Sequence, residues 1–177
     1  MLPIHLNETH MEITTARALD LQGAAAEQLD AIVNAAGQDT YLNDGQGSVP
    51  NHEYREAILK DGVVVGFFSP YMQDLLAERY WRAGPLYILP ALRKQGIMRK
   101  ALSDFFSRNK PGLAWIDDSN KASIQLFVKL GFTRHSAHPG RNGNSGHWYT
   151  LTESKSDMPI HALDLATAAI QPQFYRW

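Results

Sequence analysis

The segment Pro90-Ala-Leu-Arg-Lys-Gln-Gly-Ile-Met-Arg-Lys-Ala-Leu102 constrains the fold most tightly: an apolar run ends at a proline, a short cationic loop carries one glycine, and a helix begins. The first turn of a helix leaves its backbone N–H groups without intrahelical acceptors, so a glycine loop opening a helix aims several donors at one point. Arg93 and Lys94 add positive charge beside those donors. This is the layout of a loop that holds a phosphate or pyrophosphate. One glycine between basic residues also occurs in ordinary surface turns, so the residues downstream decide between the two readings.

Downstream, Asn120-Lys-Ala-Ser-Ile-Gln-Leu-Phe-Val-Lys-Leu-Gly-Phe132 follows the apolar run Gly112-Leu-Ala-Trp-Ile116. Ile124, Leu126, Phe127 and Leu130 fall at helical spacing, Asn120 is a good N-cap, and Gly131 sits where a left-handed C-terminal cap belongs. The two segments together resemble the GNAT superfamily of acyl-CoA-dependent N-acetyltransferases. That family has a loop of the form Gln/Arg-x-x-Gly-x-Gly/Ala after a strand ending in proline, matched here by Pro90, Arg93 and Gly96. Its later helix begins with Asn and ends before Gly-Phe, matched by Asn120, Ser123, Ile124, Leu126, Gly131 and Phe132. The match is close from about Val63 to Leu151.

The resemblance implies an α/β fold: a central, mostly antiparallel, partly split sheet with helices on both faces. It implies acetyl-CoA as cofactor, an amine-bearing small molecule or peptide as acceptor, and direct acyl transfer. Carried residue by residue, it implies cofactor contacts from Leu89, Arg93, Lys94, Gln95, Gly96, Ile97, Met98, Asn120 and Phe127. Two positions depart from the family. Met98 stands where Gly or Ala is usual, and Phe127 stands where many members carry a Tyr that protonates the leaving thiolate. A phenyl ring cannot donate that proton, so another acid serves, or the thiolate leaves unaided, its conjugate acid having a pKa of roughly 8.5.

A base is also needed, because an ammonium must lose a proton before it attacks. The strand Leu86–Leu89 carries no carboxylate. Glu78 precedes it, and Asp117 and Asp118 follow the next apolar run. Asp118 is the favoured base; Tyr149 and His147, on the last strand, are candidates for acid or acceptor contact, with Tyr87 a further hydroxyl and Ser123 a candidate hydrogen-bond donor near the cofactor. Against this, Asp beside Ser-Asn before a helix is ordinary capping chemistry. On alternating strand faces His147 and Tyr149 point the same way.

A chain of 177 residues suits one domain with a single core. The acyltransferase domain is expected over 1–152, with 153–177 as an extension. Its aromatic end, Phe174-Tyr-Arg-Trp177, is expected to dock on its own domain or on a second copy, giving a homodimer. A net charge of −1 gives no global basic signal, which disfavours nucleic acid as partner. A nucleobase-modifying enzyme on the same scaffold, resembling the phage Mom enzymes, and a non-catalytic binding module are the alternative readings. Cysteine is absent, excluding a thiol nucleophile and a disulfide framework. The seven histidines show no convincing ligand spacing, so no metal is expected. No stretch is apolar for long enough to span a bilayer, and a cytoplasmic location is the expectation.

Along the chain, the pattern predicts a strand over Glu12–Ala18, a helix over Asp20–Ala36 ending at Gly37, and a loop or irregular helix over Gln38–Asn51. A hairpin is predicted with arms Tyr54–Lys60 and Val63–Ser69 about Asp61-Gly62, stopped by Pro70. Next come a strand from Tyr80 or Leu86 to Leu89 with a bulge at Gly84-Pro85, a helix over Ile97–Arg108, and last strands over Phe132–Ala137 and His147–Thr152.

Overall fold

The computed structural model describes residues 11–38, 55–75, 78–139 and 144–152. The expected loop after Gln38, the middle of the last hairpin loop and the extension from Glu153 with its dimer contact lie outside these residues. The described strands are β1 (Ile13–Arg17), β2 (Glu56–Lys60), β3 (Val63–Leu75), β4 (Glu78–Ile88), β5 (Gly112–Asp117), β6 (Thr133–Pro139) and β7 (Ser145–Leu151). The helices are α1 (Ala24–Gln38), α2 (Ile97–Arg108) and α3 (Lys121–Lys129). The strands form one sheet in the order β1-β2-β3-β4-β5-β7-β6, with β4 and β5 its parallel neighbours and the other pairs antiparallel. This is the mixed, mostly antiparallel α/β architecture expected.

Local chemistry explains the elements. Asp61 and Gly62 take φ of 50° and 80°, the paired left-handed conformation of a two-residue hairpin turn. The Asp61 carboxylate accepts from the Glu12 N–H at 3.0 Å, tying the turn to the start of β1. Asn120 caps α3 by accepting from the Ser123 N–H at 3.0 Å, and Gly131 takes φ 90° just past the helix.

Two expectations are corrected. Pro70 does not end β3, which runs on to Leu75. Phe68 pairs with Leu86 and Pro70 with Ala83, so Ser69 alone faces Gly84 and Pro85. A bulge disrupts the ladder there, where a residue without an N–H costs nothing. Gly37 likewise does not stop α1, which continues to Gln38; it is absent from the glycines with positive φ, so it makes no left-handed cap.

The helices divide between the sheet faces. On one face, α2 and α3 bury Ile97, Leu102, Phe105, Phe106 and Phe127 against Ile58, Phe68, Ala114 and Tyr149. Edge-to-face rings run from Phe68 through Phe105 and Phe106 to Phe132 and Phe127, centroids 4.9–5.3 Å apart. On the other face, Leu29, Ile32 and Ala36 of α1 cover Ala57, Val64, Phe67 and Tyr87.

Candidate active site

The sheet opens between β4 and β5. These parallel strands share a single register pair, Trp81 with Gly112, supported by a Trp81 N–H bond to Pro111 O at 2.8 Å. Beyond it they part, so the end of β4 has β3 on one side only. The Leu89 N–H donates to Val65 O at 3.0 Å, toward β3. Strand alternation turns the polar groups of Ile88 the other way, into the opening.

A cleft of about 740 Å³ lies against this end of β4, walled by Leu86–Ile88, the loop Leu92–Gly96, the first turn of α2 and one stripe of α3. Lys94 and Gly96 both take left-handed φ, 65° and 79°, and the Lys100 N–H donates to Gly96 O at 3.0 Å, closing the first turn of α2. The N–H groups of Ile97, Met98 and Arg99 thus open onto the cleft beside the charges of Arg93, Lys94 and Arg99. This donor set suits a pyrophosphate.

Of the residues expected to hold a cofactor, Arg93, Lys94, Gln95, Gly96, Ile97 and Met98 line the cleft together. Leu89, Asn120 and Phe127 are not among its lining residues. Leu89 packs toward the α1 side, Asn120 spends its side chain on the α3 cap, and Phe127 is 3% exposed with its ring 4.9 Å from that of Phe132. Arg93 folds back over its own loop. Its Nε donates to Ile88 O at 3.0 Å and its guanidinium lies 5.3 Å from the Tyr87 ring centroid. Lys60 and the Ala91 carbonyl hold the Gln95 amide, at 3.3 and 3.5 Å.

The cleft also uses Ala122, Gln125 and Lys129 of α3, which the sequence reading did not single out, and Leu126, which it named for its helical spacing and motif match but not as a cleft residue. They recur at helical spacing on a stripe beside the core residue Phe127, so a second face of that helix was the available signal.

Asp118 follows β5. Its carboxylate accepts from the Ser145 hydroxyl at 2.6 Å and lies 2.8 Å from His147 Nδ1, with Arg134 Nη2 3.6 Å away. The Ser145 hydrogen bond, with lesser help from His147 and Arg134, holds Asp118 below the usual carboxylate range despite its partial desolvation. An ionised carboxylate only accepts, so Nδ1 of His147 carries the proton and Nε2 turns to Arg134 Nη2, 2.9 Å away. Tyr149, two residues along β7, is fully buried in the α2/α3 core, and its hydroxyl has no hydrogen-bond partner among the described residues.

A family model described as "Acetyltransferase (GNAT) family" matches residues 22–132, more than half of the chain. The chain belongs to the GNAT acetyltransferase family. L-methionine sulfoximine/L-methionine sulfone acetyltransferase of Salmonella typhimurium (strain LT2) is 30% identical over 109 residues, 58% of this chain and 64% of that protein. This GNAT chain therefore spans less than two thirds of that relative's length. Among solved structures, yncA of Salmonella typhimurium with its cofactor acetyl-CoA superposes with a TM-score of 0.59 at 22% identity, covering 84% of this chain and 97% of that one. The NatC complex bound to Gag peptide and CoA gives 0.57 at 18% identity, covering 81% and 100%. Both likenesses show the GNAT fold. No helix among the described residues is long and apolar enough to cross a membrane.

Proposed function

We propose that this chain is an acetyl-CoA-dependent N-acetyltransferase that passes the acetyl group directly to an amine. The observation that carries this reading is the parting of β4 from β5 after one register pair, which opens a cleft onto the cationic first turn of α2. The relatives named above support it, since one acetylates an amino-acid analogue and two were solved with acetyl-CoA or CoA.

In this reading the N–H groups of Ile97–Arg99, with Arg93 and Lys94, hold the pyrophosphate. The outward polar groups of β4 near Ile88 pair with the pantetheine arm once Arg93 releases the Ile88 carbonyl. Acetyl-CoA, when bound, supplies a thioester whose carbonyl carbon an amine can attack. The amine nitrogen forms the new bond as the carbon–sulfur bond breaks, and the amine proton must leave while the sulfur gains one. Asp118 serves the first transfer by holding a proton on His147 Nδ1, so that Nε2, which accepts from Arg134 Nη2 at 2.9 Å in this structure, takes the amine proton once Arg134 moves aside. Tyr149 serves the second, its buried hydroxyl being a donor without another use. Leaving such a group unpaired costs about 1–3 kcal/mol, which favours a functional reason for keeping it.

The test is release of CoA thiol from acetyl-CoA in the presence of an amine panel, with Tyr149→Phe alongside. The expected result is amine-dependent release, with kcat reduced in the variant and its folding stability unchanged or raised. Equal kcat in the two proteins removes Tyr149 from the mechanism; no release with any amine removes the transferase reading.

A further inference from the structure

Arg93 lines the same cleft as Ile88 and the first turn of α2, yet its side chain is committed to the strand. Its Nε donates to Ile88 O at 3.0 Å, and its guanidinium lies 5.3 Å from the Tyr87 ring centroid. Tyr87 is 4% exposed and stacks on Phe67 with centroids 5.9 Å apart, so the arginine rests on a fixed surface. Arg93 makes a further interaction besides these two, so its release gives up at least the Ile88 bond.

The carbonyl it holds is one that the sheet leaves over. Ile88 is the register partner of Gly66, and the next residue, Leu89, donates its N–H to Val65 O at 3.0 Å, toward β3. Alternation therefore turns the Ile88 carbonyl away from β3. On that side β4 and β5 share only the pair Trp81 and Gly112, so β5 does not reach Ile88. A side chain from the cationic loop takes the place that a neighbouring strand would fill.

The strengths of the competing bonds decide what can displace it. Arg93 gives Ile88 O a charge-assisted hydrogen bond, whereas the amide N–H of a pantetheine arm offers a neutral one, roughly half as strong. The arm by itself is the weaker competitor for this carbonyl. Phosphate oxygens, in contrast, offer the guanidinium an opposite charge and a match to its fork of donors, which a single neutral carbonyl does not. The first turn of α2, where Ile97, Met98 and Arg99 border the cleft beside Arg93, is where such an anion is drawn.

We propose that Arg93 selects thioesters that carry a pyrophosphate: it covers the Ile88 carbonyl until an anion at the first turn of α2 draws it off, so the two halves of the cofactor bind cooperatively. Thioesters on a bare pantetheine arm are thereby disfavoured. This rests on the transferase reading above, which lays the arm along β4. The role differs from simple phosphate binding, because the same side chain opposes one half of the cofactor and favours the other.

The experiment is calorimetric titration of the full chain with pantetheine, with and without saturating inorganic pyrophosphate at matched ionic strength, and separately with CoA. Wild type is compared with Arg93→Met, which keeps an unbranched apolar stem over Tyr87 and removes the donors. Wild type is expected to bind pantetheine roughly tenfold more tightly when pyrophosphate is present, the size of one such hydrogen bond exchanged. Arg93→Met is expected to bind pantetheine more tightly than wild type without pyrophosphate, to lose the pyrophosphate effect, and to bind CoA more weakly. An arginine that only holds phosphate leaves pantetheine affinity equal in the two proteins, and one that only supports the loop makes it weaker in the variant; either result overturns the selection. Should the variant fail to fold, the Arg93 Nε–H resonance of the wild type, assigned through Arg93→Lys, reads the same event. It is expected to exchange slowly with solvent and to shift on addition of pyrophosphate; a resonance unmoved at saturation overturns the proposal. Wild type that binds CoA but gains no pantetheine affinity from pyrophosphate, undetectable binding in both titrations included, overturns the selection alone. Wild type that binds neither CoA nor pyrophosphate overturns the transferase reading, and the selection with it.

Discussion

Replacing Gly66 by alanine tests how the cleft wall is held. Gly66 lies in β3 opposite Ile88, and a Cβ there would overlap the Tyr87 carbonyl oxygen while standing 2.6 Å from Ile88 Cδ1 and 3.1 Å from Ile88 Cα. The Ile88 methyl can rotate away. The other two are backbone atoms of β4, so β4 itself must move from β3, straining the 3.0 Å bond from Leu89 N–H to Val65 O. Overpacking of this kind costs about 1–3 kcal/mol. A weakened hydrogen bond adds about 0.5–1.5 kcal/mol, and the stiffer unfolded chain returns about 0.4–1 kcal/mol. The net expectation is a loss of about 1–4 kcal/mol, or roughly 2–16 °C in Tm for a chain of this size. Urea unfolding followed by tryptophan fluorescence reads it. The companion variant is Gly84→Ala, at the β4 bulge, where an added Cβ meets nothing within 4 Å; its change should stay within about 0.5 kcal/mol. Because Ile88 lines the cleft, the Gly66 variant should also bind acetyl-CoA more weakly under conditions where it remains folded. Equal stability of Gly66→Ala and wild type would refute the close approach of β3 and β4 on which the cleft wall depends.

Other changes probe separate parts of the account. Asn120→Ala removes the α3 cap and should cost about 1 kcal/mol in denaturant unfolding; no change would mean that another group caps the helix. Phe127→Tyr places a hydroxyl within the ring cluster of the core and should destabilise by about 1–3 kcal/mol without raising kcat, whereas a gain in turnover would put this position at the thioester. Asp118 is held below its ordinary range in the folded protein, chiefly by the Ser145 hydroxyl. Its contribution is therefore present above the unfolded value of about 3.9 and is lost as pH falls through the folded value. Stability measured from about pH 4 downward should fall less steeply in Asp118→Asn than in wild type, and parallel curves would contradict the network.

Much of this arrangement was legible in the sequence because local chemistry determines it. The bounds of α2, Ile97–Arg108, follow from Gly96 before the helix and Pro111 after it, and the Asp61-Gly62 turn needs positive φ at two residues that favour it. Pro70 misled because a proline reads as a strand end, whereas here the register shift beside Ser69 accommodates it. That pairing is long-range and leaves no local mark. The same holds for Phe127, whose helical position was clear while its direction depended on Phe132 and the sheet beneath it. The cationic loop was readable as a donor cluster, but not the return of Arg93 to the Ile88 carbonyl. Gln73 of β3, Arg82 of β4 and Trp148 of β7 meet on one face of the sheet, Arg82 Nη1 donating to Gln73 Oε1 at 3.0 Å and its guanidinium lying 5.4 Å from the Trp148 ring centroid, and nothing in the spacing of those residues announces it.

The most direct test of the central claim is calorimetric titration of the full chain with acetyl-CoA, beside CoA and the Arg93→Glu variant. The account predicts saturable binding by the wild type, and loss of that binding in a variant whose unfolding curve is close to normal, since Arg93 is exposed and a reversed charge repels the pyrophosphate from the first turn of α2. Wild-type protein that binds neither acetyl-CoA nor CoA, or an Arg93→Glu variant that binds as tightly as wild type, would contradict it.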